Sequence, residues 1–296
     1  MVFSEALSGL LSGALAGSLT KTLLAPLDRL KLVVQLQKSL VEESSQESYR
    51  GPIKAVKKII REEGFFSLWR GNSSTILIQG GTSALNFMFM DVYKKAALEL
   101  AGDQNRLANS FISGGLAGAT AITLLYPVGL ARTKLALDVG SENRRYPRGM
   151  RDVFKKSTQA NGFRSLYQGY GIALWSVSLY RMVYLGGYDY LKLYVSTGED
   201  QSDNHHVPVA SRFMIAQTVS MAAATVHYPL DSVRRRLMMQ SDLSEKQYLG
   251  AVDCFKKIYQ REGIRGFFLG LGTNYIRSVG AALVLVSYDA FRELFR

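Results

Sequence analysis

Apolar stretches and polar connections alternate along these 296 residues in a pattern that recurs about every hundred positions. Residues 71–90 and 107–131 carry no charge, and a helix needs about 20 apolar residues to cross a bilayer. Residues 6–20, 165–180, 213–230 and 266–288 come close, with single polar interruptions. The pattern predicts six membrane-spanning helices. The first, third and fifth end in a proline, at Pro26, Pro127 and Pro229. Such regular spacing marks internal repeats, which take precedence over other fold signals. The chain therefore divides into three units, residues 1–101, 102–203 and 204–296.

Each proline opens a short charged pattern: Pro26-Leu27-Asp28-Arg29-Leu30-Lys31, Pro127-Val128-Gly129-Leu130-Ala131-Arg132 and Pro229-Leu230-Asp231-Ser232-Val233-Arg234. An acid two residues on and a base three further place opposite charges near one helix end, ready to pair with neighbouring copies. The middle copy has Gly129 where the others have an acid.

Polar linkers follow at 38–49, 138–147 and 240–248, and then short segments with lysine pairs, Lys57-Lys58, Lys155-Lys156 and Lys256-Lys257. These segments are part apolar, as helices lying at a membrane surface are. Each stops at a glycine, Gly64, Gly162 or Gly263, which suits a left-handed C-cap. Next come Trp69-Arg70-Gly71, Tyr167-Gln168-Gly169 and Phe268-Leu269-Gly270. An interfacial aromatic beside the free N–H groups of a helix start offers a seat for lipid phosphate. Small residues also recur thirteen and nine positions before each proline: Gly13 and Gly17, Gly114 and Gly118, Ala216 and Ser220. Their spacing of four lets helices approach closely.

The mean hydropathy of +0.02 is low for a membrane protein. Charges inside spans are expected where helices line a water-filled cavity, so the low value favours a transporter over an anchor. The net charge of +12 predicts anionic partners. One cysteine, Cys254, excludes an internal disulfide and gives no metal cluster, and packing is its expected role. Residues 197–206, with His205 and His206, are expected to form a solvent loop. Met1 to Leu11 carries Glu5 and lacks the basic start of a secretory signal, so targeting information is expected to be internal.

Bases at membrane depth are functional candidates by default, here Lys21, Arg181, Arg234, Arg235 and Arg277. Arginine matches phosphate through its bidentate fork, and lysine serves as a point charge. Tyr180, Tyr184 and Tyr188 fall at i, i+4 and i+8 and make one aromatic stripe. No nucleophile, base and oxyanion arrangement is visible, so no enzyme is expected. A soluble nucleic-acid binder fits the charge but not six apolar segments. A purely structural bundle gains little from Lys21 or Arg277 at depth.

The three proline patterns with their glycine-ended surface helices resemble the mitochondrial carrier family over essentially the whole chain. Arg234-Arg235-Arg236-Leu237-Met238-Met239 is similar to the Arg-Arg-Arg-Met-Met-Met signature of the family's ADP/ATP carriers, with Leu237 in place of one methionine. The resemblance implies an all-α membrane protein: six transmembrane helices in a pseudo-threefold barrel, with the short amphipathic helices on the matrix side. It implies a multi-pass monomer of the mitochondrial inner membrane, needing no cofactor, with ADP and ATP as substrates and cardiolipin bound near Gly71, Gly169 and Gly270. Two gates would open alternately.

The implied matrix gate links Asp28 with Arg132 and Asp231 with Lys31, braced by Gln35, while Gly129 removes the acid expected opposite Arg234. The implied cytoplasmic gate uses Asp91 and Lys94, Asp189 and Lys192, and Asp289 and Arg292. By position, Lys21, Arg234 and Arg277 match phosphate-contacting residues and Tyr180 the residue beside the adenine. The central contacts fall at Ile78 with Gln79, Ser176 with Val177, and Ile276 with Arg277. Two of them depart from ADP/ATP carriers, which have arginine at Ile78 and glycine at Ser176. The expected activity is ADP/ATP exchange by alternating access; the alternative is a carrier of the same fold for another nucleotide or anionic metabolite.

Overall fold

The computed structural model describes residues 17–36, 52–101, 106–138, 145–196, 209–243 and 245–280. Every regular element among them is helical. Long helices are α1 (17–36), α3 (Asn72–Ala101), α4 (Arg106–Leu137), α6 (Tyr170–Ser196) and α7 (Val209–Met239), with α9 described over 271–280. Between them lie α2 (Pro52–Glu63), α5 (Met150–Asn161) and α8 (Ala251–Glu262), each followed by a 3₁₀ turn. Gly13, Asp289 and Arg292 fall outside the described residues, as does the 197–206 loop with its histidines.

The long helices outrun the uncharged stretches. Helix α3 continues through Asp91, Lys94 and Lys95, because the backbone ladder does not stop where hydrocarbon does. Helix α6 starts later than expected, since 163–167 form a 3₁₀ turn. Residues 112–137 are, among those described, the one stretch apolar and long enough by composition alone to cross a membrane. The others are interrupted by polar and charged residues.

The described residues form two compact units, and the ranges below refer to those residues alone. The first holds residues up to Arg29, residues 59–170 and residues 241–245. There α3 packs along α4: Gly81 lies where an added Cβ would come 3.1 Å from Leu125, and Tyr93 shares a 2.9 Å hydrogen bond with Thr120. The second holds residues 30–58, 171–240 and 246 onward. Its core joins Val233 and Leu237 of α7 to Tyr248, to Cys254 and Ile258 of α8, and to Phe267.

The short helices repeat in detail. The fourth and eighth residues of each are buried: Ala55 and Ile59, Val153 and Ser157, Cys254 and Ile258. Cys254 is thus the third copy of a small packing position, and burial pushes its thiol up to about 12. Outward, Ile53, Phe66, Phe163, Leu249 and Val252 are exposed apolar groups, as a surface-lying helix requires. The three helices end at glycines with φ of 86°, 69° and 65°, whose N–H groups donate to Ile60, Thr158 and Tyr259.

A proline at position i has no N–H for the carbonyl at i−4. That residue is threonine in all three copies: Thr22, Thr123 and Thr225. Each hydroxyl donates to the carbonyl four residues earlier, a bond that favours bending. In the first copy the carbonyl deprived by Pro26 accepts instead from the Trp69 indole at 2.8 Å. Tyr126 and Tyr228, just before the other two prolines, donate to the carbonyls of Gln168 and Leu269. Gly270 follows the second of these with φ of 83°, and a Cβ there would lie 3.0 to 3.2 Å from Tyr228 and the α1 backbone. Only glycine lets the 3₁₀ turn close on α1.

Buried charges fasten the short helices. Arg29 donates to the Ala136 carbonyl, the Ser67 carbonyl and both Glu63 carboxylate oxygens. Arg236 pairs with Glu262 in the second unit. Lys134 bonds Asp242, which also meets the Arg145 guanidinium at 3.1 Å and accepts from the Tyr146 hydroxyl. Burial opposes a charged Asp242, but Lys134, the hydrogen bonds from Lys134 and Tyr146, and Arg145 together hold its carboxyl below the usual range.

A carboxyl lowered on folding contributes stability above its unfolded pKa of about 3.9, and that contribution is lost as pH falls through the lower folded value. Asp242→Asn is therefore expected to lower the melting temperature in detergent at pH 7. The gap from wild type should narrow below about pH 4. Equal melting temperatures at pH 7 would show that the network adds nothing.

Candidate substrate site

The second unit contains a cavity of about 360 Å³ between α6, α7, α9 and Lys31 of α1. Helical spacing builds it. On α7, Ser220, Ala224, His227, Asp231 and Arg235 follow one another by three or four residues and so share a face, with Arg234 beside them. Tyr180 lies four and three residues beyond Ser176 and Val177 on α6, and Arg277 and Ser278 three and four beyond Asn274 on α9.

Its electrostatics are one-sided. Lys31, Arg181, Arg234, Arg235 and Arg277 line the cavity against one carboxylate, Asp231. One oxygen of that carboxylate takes the Arg235 Nε at 2.8 Å, the Gln35 amide at 3.4 Å and the Lys31 ammonium at 3.8 Å. Gln35 also donates to Ser232 at 3.1 Å, which fixes its amide. Asn274 accepts from the Arg277 Nε at 3.3 Å and orients that guanidinium. Fixed cations in excess make a receptor for a multiply charged anion.

One wall is aromatic. Tyr180 and Tyr184 stack with centroids 5.9 Å apart and planes 7° apart, and Tyr184 and Tyr188 continue the stripe at 6.5 Å. The Tyr180 hydroxyl lies 3.4 Å from the Ser220 hydroxyl. Its ring meets His227 edge to face at 5.1 Å. Among the described residues no group of three or more His, Cys, Asp or Glu side chains converges as a metal site would.

Most of the sequence-derived candidates converge here: Ser176, Val177, Tyr180, Arg181, Arg234, Arg235 and Arg277 all line the cavity. Lys21 and Ile78 stand in the first unit, half-buried on α1 and α3. Both expected acid–base links at the proline patterns are formed: Arg132 donates to Asp28 at 2.9 Å, and Lys31 reaches Asp231. Asp91 and Lys94 are exposed on α3. Asp189 and Lys192 lie on α6, and the positions of their side chains are outside the described set.

Sequence reasoning passed over His227. The signal was present: two residues before the prolines stand Leu24, Leu125 and His227, so the third copy puts an imidazole where the others are aliphatic. It also passed over Asn274, whose role depends on a contact one helical turn from Arg277.

The family model described as Mitochondrial carrier protein matches residues 4–100, 103–199 and 205–296. Human ADP/ATP translocase 4 is 40% identical over 282 residues, covering 93% of this chain and 87% of its own. Human ADP/ATP translocase 3 is 39% identical, covering 93% of each chain. ADP/ATP translocase 2 of Tachyglossus aculeatus aculeatus is 38% identical over 283 residues, covering 93% of this chain and 92% of its own. These relatives support a nucleotide carrier. The all-α, six-span fold of three tandem repeats and the multi-pass place in the mitochondrial inner membrane are those of the carriers. With three matched repeats across nearly its full length, the chain belongs to the mitochondrial carrier family.

Proposed function

We propose that the protein exchanges ADP for ATP across the mitochondrial inner membrane by alternating access. The carrying observation is the cavity of five cations around one acid, walled by Tyr180. A nucleotide of three or four negative charges with an apolar ring needs both features. The names of the translocase relatives agree with this choice of substrate.

In this reading Lys21, Arg234 and Arg277 bind phosphate, with Arg181 and Arg235 beside them. Tyr180, Val177 and Ser176 form the seat of the base. Asp28 with Arg132, and Asp231 with Lys31 braced by Gln35, close the matrix side. Asp91, Lys94, Asp189, Lys192, Asp289 and Arg292 close the other. Partly hydrated pairs contribute about 0 to 1 kcal/mol each, which suits links broken in every cycle. Lipid phosphate, as in cardiolipin, seats at the helix starts after Gly71, Gly169 and Gly270, and the working unit is a monomer.

Ile78 favours a second reading, a carrier of the same fold for another anion. Arginine at that position would supply a charge-assisted contact, and its loss costs about 1.5 to 3 kcal/mol. Exchange in liposomes separates the two: uptake of labelled ADP against internal ATP, but not against unrelated anions, supports the first. Arg277→Ala and Arg234→Ala should each lower that exchange at least tenfold while the protein stays folded in detergent. Near-normal exchange by either variant removes that residue from the site.

Gly129 leaves the matrix side with two acid-based links. A Cβ at Gly129 would meet nothing within 4 Å, so an aspartate fits. Gly129→Asp should raise the thermal stability of the matrix-closed state. Replacing glycine within a helix adds about 0.5 to 1 kcal/mol by itself, so Gly129→Ala is the control. Equal gains in both variants would assign the effect to helix propensity and dismiss the missing link.

A further inference from the structure

His227 lines the cavity and uses one ring nitrogen on its own helix: Nδ1 lies 3.1 Å from the Ala223 carbonyl. A carbonyl can only accept, so Nδ1 carries the proton. In neutral imidazole the other nitrogen, Nε2, is then an acceptor. No further hydrogen bond to the ring is found among the described residues.

That acceptor stands among donors. Lys31 of α1, Arg181 of α6, Arg234 and Arg235 of α7 and Arg277 of α9 offer only N–H groups. Tyr180 and Tyr275 add hydroxyls, and Asp231 is engaged by Lys31, Gln35 and Arg235. The edge-to-face contact with Tyr180 places the imidazole beside the ring proposed to carry the base. A base lying on that wall is within reach of the imidazole, and bases are read by stacking plus hydrogen bonds to their edges.

We infer that His227 selects the base: its neutral Nε2 accepts a hydrogen bond from the exocyclic amine of adenine lying on Tyr180. This rests on the nucleotide reading above. Inosine diphosphate carries the same sugar and diphosphate but has a carbonyl oxygen where adenine has its amine. Neutral Nε2 faces a second acceptor there.

The test is uptake of labelled ADP and inosine diphosphate into liposomes containing the full chain at pH 7.5. The wild type should prefer ADP about tenfold, the factor expected from one hydrogen bond. The preference should fall to about twofold or less in His227→Phe, which keeps a ring and loses the acceptor. His227→Gln, whose amide can accept from the amine or donate to the carbonyl, should take up both nucleotides with a narrowed preference. A tenfold preference retained in His227→Phe overturns the role of His227 while leaving the nucleotide reading intact. Uptake of neither nucleotide by the wild type overturns both.

Discussion

A guanidinium or ammonium taken out of water costs several kcal/mol unless acceptors replace its hydration. Three such groups, on α1, α4 and α7, decide how the short helices are held. Arg29 satisfies its demand with both oxygens of Glu63 and two carbonyls, so α2, α4 and the 65–69 turn are all committed around one side chain. Arg236 does the same for α8 through Glu262, the last residue of that helix just as Glu63 is of α2. The corresponding residue of α5 is Asn161, which donates instead to the carbonyls of Ser241 and Leu243. With an amide there, the buried cation Lys134 takes its acid from Asp242. Such pairs add little net stability against an apolar substitute, but removing one partner strands the other, so they enforce one arrangement.

In the second unit five cations share one carboxylate, and that carboxylate also belongs to a proline pattern. Asp231 therefore touches two tasks, since Lys31 and Gln35 come from α1 and Arg235 lies one turn further along α7. An anion that draws Arg235 away would weaken its hold on Asp231 and leave Lys31 as the principal partner. One carboxylate oxygen is thus shared by two cations, one from α1 and one from α7.

How much of this was readable in advance depended on whether the deciding contact was local. Glycine stops at 64, 162 and 263 and the tyrosine stripe at 180, 184 and 188 follow from spacing along one helix, and the structure has them. Gln35 beside Asp231 followed from resemblance. Arg29 did not stand out, because in the pattern it is one base beside an acid, and its four acceptors come from residues 34 to 107 positions away. Thr22 repeats as visibly as its proline, but its meaning needs the carbonyl that Trp69 reaches from another element.

The third copy shows why departures from a repeat carry more than its agreements. Leu24, buried, and Leu125, half-buried, obey the apolar pattern and mark nothing more. An imidazole at the corresponding place must answer for two nitrogens, and the backbone satisfies one of them. Tyr228, its neighbour, spends its hydroxyl on Leu269, and Ser232 spends its own on Phe267. Polar groups around Pro229 are thus consumed in holding the 3₁₀ turn, whereas His227 lines the cavity with its second ring nitrogen. A group excused from structural duty and surrounded by donors is where selectivity can be altered without disturbing the helices that carry it.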